Sequence, residues 1–304
     1  MPTLERLAAG PHRVVAAVSQ PDRPRGRGRR PSPSPVAAAA ERASVPALRT
    51  EQVGDARFVE ALRELAPDLG IVVAFGQFLP RRVRELPRVG YLINAHASLL
   101  PRHRGAAPIA HAILAGDRAT GISVMRVERE MDAGPVALVR RTPIGADETA
   151  GELGERLAAL AADAIAEAVE QIAAARVRWT PQDEAQATLA PKLGPGDAVL
   201  DWSGSAEALV RRVRALAPRP GAFTTCAGER LRILRATALP GPVDAAPGTV
   251  RIGGRAVLRV ACGSGWLAPV LLQRAGGNPV DAASFQRGRG VPEGARLGAF
   301  EAGG

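Results

Sequence analysis

Through the first two-thirds of the chain, short apolar runs alternate with stretches of helical spacing, the pattern of strand–helix units on a mainly parallel sheet. Leu4, Leu7 and Ala8 mark one face of a helix that ends at Gly10. Arg13 to Val18 reads as a strand, and Gln20 to Pro35, dense in arginine, glycine and proline, as a long loop. Helical patterns cover 36–43 and 55–66. Ile71 to Phe75 is an apolar strand closed by Gly76, and Leu92 to His96 is another, stopped by Leu99-Leu100-Pro101. A helix over 108–115 ends at Gly116. Strands at 121–127 and 135–141 bracket a turn at Met131-Asp132-Ala133-Gly134, and an alanine- and glutamate-rich helix over about 148–175 follows.

After Trp179 the texture changes. Thr180 to Pro195 holds three prolines and reads as a linker. Beyond it one helix, over 205–216, precedes short strands near 222–226, 230–236, 248–252, 255–261 and 266–273, separated by glycine and proline turns. The expected organisation is therefore α/β: a Rossmann-like, mainly parallel sheet domain over 1–179, a linker over 180–195, and a small OB-like barrel or partly open sheet over 196–304.

Of the 304 residues, 46% are hydrophobic, and no run approaches the roughly 18–20 uncharged apolar residues that cross a bilayer. The first residues lack the basic-then-apolar layout of a signal peptide, and two cysteines, Cys226 and Cys262, are too few for a disulfide scaffold or a metal cluster. A cytoplasmic protein without membrane contact is expected, and a monomer. The formal net charge of +10 raises the prospect of a polyanionic partner. Residues 196–304 carry fourteen basic against eight acidic side chains, a denser excess than in the longer N-terminal part. Lys192 is the only lysine among forty basic residues, a hint that its position wants an ammonium.

Asn94 and His96 lie two apart at the C-terminal end of a strand, so both project from one face where open α/β sheets place ligands. An amide beside an imidazole suits a developing oxyanion, and Asp132, in a turn after a neighbouring strand, is placed to orient the imidazole. Taken singly, an Asn-x-His pair more often packs than reacts, and an Asp before Ala-Gly more often forms a turn; spacing leaves both readings open.

The stretch Asn94-Ala-His96-Ala-Ser98-Leu-Leu-Pro101-Arg-His-Arg104-Gly105-Ala-Ala-Pro108-Ile109 resembles the signature of the folate-dependent formyltransferases. So do Gly116-Asp117, Thr120-Gly121-Ile122-Ser-Val-Met125 and Met131-Asp132-Ala-Gly134. Gln20-Pro-Asp-Arg-Pro24 with Gly26-Arg27-Gly28, and Ala190-Pro-Lys192 with Asp201-Trp202, are most similar to the branch that acts on methionyl-tRNA; the match runs from about 12 to 290. The resemblance implies transfer of the formyl group of 10-formyltetrahydrofolate to the free amine of methionyl-initiator tRNA, without a metal. Asn94 and His96 would hold the oxyanion of a tetrahedral intermediate while Asp132 assists proton transfer. It implies a folate site walled by Val73, Ala74, Phe75 and Gly76 and by Ser98, Leu99, Leu100 and Pro101. It makes Gln20–Pro35 the loop that enters the acceptor end of the tRNA, through Arg23, Arg25, Arg27 and Arg29; independently of the resemblance, Arg211 and Arg212 on a predicted helix, with Lys192 in the linker, are expected to form a surface that tracks phosphates. By composition alone that loop cannot pack a core and is expected to stay mobile until a polyanion orders it.

One departure stands out. The family begins with a β-strand and a glycine turn, whereas this chain opens on what reads as the following helix, Pro2 to Gly10. A start lying further upstream is the expectation. Without that strand its neighbours should show unpaired edges. The alternatives are a non-catalytic tRNA-binding paralogue, or a related formyltransferase or hydrolase that serves another acceptor.

Overall fold

The computed structural model describes residues 1–25, 30–253 and 257–298. Arg27 and Arg29 lie outside the described residues. In chain order up to residue 173 the elements are α1 (Pro2–Ala8), β1 (Ala17–Ser19), β2 (Arg23–Arg25), β3 (Arg30–Ser32), α2 (Pro35–Arg42), β4 (Ala47–Arg49), α3 (Ala56–Glu64), β5 (Gly70–Val72), α4 (Arg81–Arg84), β6 (Leu92–His96), α5 (Pro108–Ala115), β7 (Ala119–Arg126), β8 (Val136–Pro143) and α6 (Ala150–Ala173). Beyond residue 200 follow α7 (Ala206–Leu216), β9 (Ala222–Cys226), β10 (Glu229–Leu239), β11 (Val250–Gly253), β12 (Val257–Ala261), β13 (Trp266–Arg274), β14 (Val280–Asp281) and α8 (Ala282–Arg287). The chain divides into two compact units, one of residues 1–108, 119–143 and 155–190, the other of 109–118, 144–154 and 191–304.

In the first unit, β1 pairs with β4 and β5 with β6, both in parallel, and the antiparallel β7 and β8 extend the second ladder. Helices α2 and α3 start where the sequence supplies caps. The Ser34 hydroxyl accepts from the Ala37 N–H at 3.0 Å, with Pro35 in the first turn, and Asp55 accepts from Arg57 and Phe58. Each such cap contributes about 1 kcal/mol. Helix α2 buries Ala37, Ala39 and Ala40, and Ala40 joins Ala17 and Val45 in a small core; Val59 of α3 packs with Val53, Val83 and Leu92.

Among the described residues no ladder joins β1 to β5, so each pairs along one edge only. The strand expected over 13–18 accordingly narrows to Ala17–Ser19, because β4 alone offers it backbone partners. Side chains bridge the two ladders instead. Gln77 accepts from the Val53 N–H at 2.8 Å and donates to the Thr50 carbonyl at 3.2 Å, while Gln20 reaches the Phe75 carbonyl at 3.4 Å. Within the arginine-rich stretch, β2 and β3 pair antiparallel, Arg23 opposite Ser32 and Arg25 opposite Arg30. The short β4, α4, β14 and α8 escape sequence reading because each is too brief to express a period.

The second unit is built on a separate antiparallel sheet, ordered β11-β12-β13-β10-β9 with β14 on β13, and bent by register shifts in β10. Among the described residues no ladder joins β9 to β11, so the sheet is partly open. Leu209, Val213 and Leu216 of α7 pack on Ile233, Leu258, Leu267 and Leu272, and the buried Trp202 donates its indole N–H to Thr224 at 3.1 Å. No helix among the described residues is long and apolar enough to cross a membrane.

Candidate active site

Strand β6 runs between β5 and β7, with Asn94 opposite Val72 on one side and Met125 on the other, and His96 opposite Ser123. Pleating turns the Asn94 and His96 side chains to one face. The chain after β6 folds back on itself. Ser98, fully buried, donates to the Arg102 carbonyl at 2.6 Å, and Ser123 donates to the Ser98 carbonyl at 2.8 Å while accepting from Leu100 N–H. This return brings the His103 carbonyl to 2.8 Å from His96 Nε2. A carbonyl only accepts, so Nε2 carries the hydrogen.

The other ring nitrogen, Nδ1, faces Asp132 Oδ2 at 3.5 Å, and His96 as a whole is 5% exposed. Asp132 sits in the β7–β8 connection at a φ of 54°, a left-handed conformation costing a non-glycine residue about 1 kcal/mol. Its Oδ2 also accepts from the Gly105 N–H at 2.9 Å. Gly105 holds a φ of 127°, and a side chain there would begin 2.6 Å from the Ala190 carbonyl, so glycine is required. Neither Asp132 Oδ1 nor the Asn94 carboxamide has a hydrogen-bond partner among the described residues. The site thus pairs a buried imidazole, bonded through Nε2 and with Nδ1 beside the Asp132 carboxylate, with an open amide and an open carboxylate oxygen.

Because β5 and β6 are parallel, the segment leaving β5 emerges at the same sheet edge as Asn94 and His96. Val73, 42% exposed, with Ala74 and Gly76 makes an apolar lip there; Phe75 is half-buried and presents its carbonyl to Gln20. Leu99, Leu100 and Pro101 are half-buried on the return loop, whereas the Ser98 hydroxyl points inward.

Arg23 is exposed on β2, and Arg25 lies in the same strand. In the second unit Lys192 is exposed. Arg211 donates to the Leu114 carbonyl at 3.2 Å, at the end of α5, and Arg212 to the Asp197 carbonyl at 3.2 Å. Arg214 caps the 145–148 turn, donating to Glu148 at 3.0 Å and Gly145 at 2.8 Å. These guanidinium groups therefore satisfy backbone carbonyls of their own unit.

Three residues around Asp132 escaped sequence reasoning. Gln182 donates to the Asp132 carbonyl at 2.8 Å and the Gly134 carbonyl at 2.7 Å. Its oxygen accepts from Arg104 Nε at 3.0 Å and Nη2 at 2.8 Å, and Arg104, 7% exposed, is also gripped by Glu184 at 2.7 and 2.8 Å. That contact holds Arg104 above its ordinary pKa and Glu184 below. Nothing in spacing links a glutamine of the linker to a turn fifty residues earlier; only the polar run Gln182-Asp183-Glu184 hinted at it.

Among the described residues no three His, Cys, Asp or Glu side chains are grouped to hold a metal ion. The model of the family described as formyl transferase matches residues 3–169, and that of the formyl transferase C-terminal domain residues 192–290. The methionyl-tRNA formyltransferase of Stenotrophomonas maltophilia is 45% identical over 285 residues, 93% of this chain and 92% of that protein. The methionyl-tRNA formyltransferase of Halorhodospira halophila is also 45% identical, over 95% of this chain and 93% of that one. Among solved structures, HypX from Aquifex aeolicus in complex with tetrahydrofolic acid has the same fold, with a TM-score of 0.58 and 20% identity over 80% of this chain. This chain spans less than half of HypX, 44% of its length. With the two models end to end along the sequence and relatives this similar over almost their whole length, the chain belongs to the formyl transferase family and is a formyl-group transferase.

Proposed function

We propose that the chain moves the formyl group of 10-formyltetrahydrofolate onto the free amine of methionyl-initiator tRNA. The observation that carries this reading is the open Asn94 amide on the strand that also bears His96, whose ring lies beside Asp132. The folate supplies a formyl group already activated on nitrogen. Its ring would lie against the apolar lip from Val73 to Gly76, with Leu99, Leu100 and Pro101 as the facing wall.

Asn94 donates an N–H to the formyl oxygen, and this hydrogen bond strengthens as the methionyl nitrogen bonds to the formyl carbon and negative charge gathers on that oxygen. The amine proton passes to Asp132 Oδ1, the open oxygen, and from there to the folate nitrogen as the old carbon–nitrogen bond breaks. The products are formylmethionyl-tRNA and tetrahydrofolate, with no net proton change. His96 shares the oxyanion once the bond from Nε2 to the His103 carbonyl is released, so that the Nε2–H turns to the formyl oxygen. Arg23 and Arg25, with Arg27 and Arg29 in the same loop, and Lys192 give the phosphates cationic partners. Arg211 and Arg212 reach phosphates only with the donors their carbonyl partners leave over.

The reading is supported by the relatives, which are methionyl-tRNA formyltransferases, and by tetrahydrofolic acid in the HypX structure. The test is formylation of charged initiator tRNA by the purified chain, with a sugar amine and an acceptor-free reaction in parallel. Formyl transfer to tRNA alone is the expected result. Transfer to the sugar, or release of free formate, would overturn the acceptor. Asn94→Ala and Asp132→Ala should fold yet lose about 10²–10³ in kcat. Folate binding without turnover by the unmodified chain would point to the non-catalytic paralogue.

A further inference from the structure

Asp132 adopts a left-handed backbone, and its carboxylate must meet both the Gly105 N–H and the His96 ring. Such a residue stays in place only if its surroundings over-determine it. The turn's own backbone supplies little: the bond from Ala133 N–H to the Glu130 carbonyl is long, at 3.5 Å. The grip comes from the segment 180–190. Gln182 sends both hydrogens of its amide into this turn, one to the Asp132 carbonyl and one to the Gly134 carbonyl. Arg104 fixes which way the amide faces, because its guanidinium can only donate and therefore selects the Gln182 oxygen. Glu184 in turn holds Arg104 in a two-point contact. The same segment stitches to the strip that carries Gly105: Arg104 N–H donates to the Thr188 carbonyl at 2.8 Å, and Ala190 N–H to the Arg104 carbonyl at 2.7 Å.

The geometry points to Gln182, oriented by Arg104 and Glu184, as a positioning residue for formyl transfer: it holds the Asp132 turn so that Oδ2 stays on Gly105 and His96 while Oδ1 remains open. This deepens the function proposed above and rests on it. Gln182 touches no reacting atom. Its effect passes through Asp132 alone, and a displacement near 1 Å at such a group typically costs about 10²-fold in rate.

Gln182→Glu separates positioning from mere support. The carboxylate keeps the size of glutamine and keeps the Arg104 contact, but it sets oxygen against the Asp132 and Gly134 carbonyls, where the amide donated. The expected result is a chain that still unfolds in one cooperative transition, at a modestly lower midpoint, with KM for tRNA and formyl donor within about twofold and kcat lower by about tenfold to hundredfold. In an Asp132→Asn background the same substitution should add almost nothing, since the group it positions is already altered. Exchange of the Gly105 amide hydrogen provides a readout free of activity: it should quicken by about tenfold in Gln182→Glu while amides within α6 stay as they were. Unchanged kcat together with unchanged Gly105 exchange, or a kcat loss that adds fully to that of Asp132→Asn, would overturn the positioning role. If the unmodified chain transfers no formyl group to tRNA while Gly105 still responds, the functional reading falls, and Gln182 is left as a holder of the turn without a part in catalysis.

Discussion

Asn94 and His96 share a strand and a face, yet the structure treats them in opposite ways. The Asn94 amide is open, so its removal should scarcely alter stability: Asn94→Ala is expected within about 0.5 kcal/mol of the unmodified chain in urea. His96 is buried, and truncation removes its hydrogen bond to the His103 carbonyl and the ring beside Asp132, a loss on the order of 1–3 kcal/mol. Urea midpoints of the two alanine variants check this ordering, and equal midpoints would refute the division between a free donor and a held ring. The sequence brought the two residues together through their spacing. It had no means of telling which would be free, because that depends on where the return loop puts the His103 carbonyl.

Among the elements, α6 carries its own start signal. Thr149 and Glu152 form a capping box: the carboxylate accepts from the Thr149 N–H at 2.9 Å and from its hydroxyl at 2.8 Å, and the hydroxyl in turn accepts from Glu152 N–H at 3.3 Å. The backbone bond from Thr149, then its hydroxyl, then Arg235 hold the Glu152 carboxyl below its ordinary value of 4.5. The native state therefore favours the ionised form. Its stabilising effect is present above that ordinary value and fades as pH falls through the lower folded one. Glu152→Gln should thus cost stability at neutral pH, and the deficit should shrink as the pH is taken from 5 to about 3. A deficit that stays constant across that range would rule out the carboxylate as its source. The helix was legible from its alanine-rich spacing. By contrast β5, expected over 71–75, pairs only through Gly70–Val72, since strand limits are set by the partner and not by the run of apolar residues.

At the scale of the whole molecule, the net charge of +10 predicts salt-sensitive binding to tRNA, but the cations divide by what they touch. Arg23 is exposed on β2, so Arg23→Ala should weaken tRNA binding and lower the slope of log K against log salt by about 1. Arg214 donates to two carbonyls of its own unit, so Arg214→Ala should lower the unfolding midpoint and leave the salt slope nearly untouched. Filter binding across a salt series, beside thermal melts, distinguishes the two. A common response would mean that the arginines act as one undivided field.

By itself the sequence determined the succession of elements, the change of texture near 180, the excess of arginine and the strand that brings Asn94 and His96 to one face. Each of these is a local or additive property, written in spacing or in counts. Only the tertiary structure decided that the N-terminal ladders stay apart with glutamines between them, that arginines of α7 turn to carbonyls, and that Gln182 reaches back fifty residues to the Asp132 turn. Hydrogen bonds between distant segments follow from where the packed chain puts its unsatisfied donors and acceptors, and no periodicity records that.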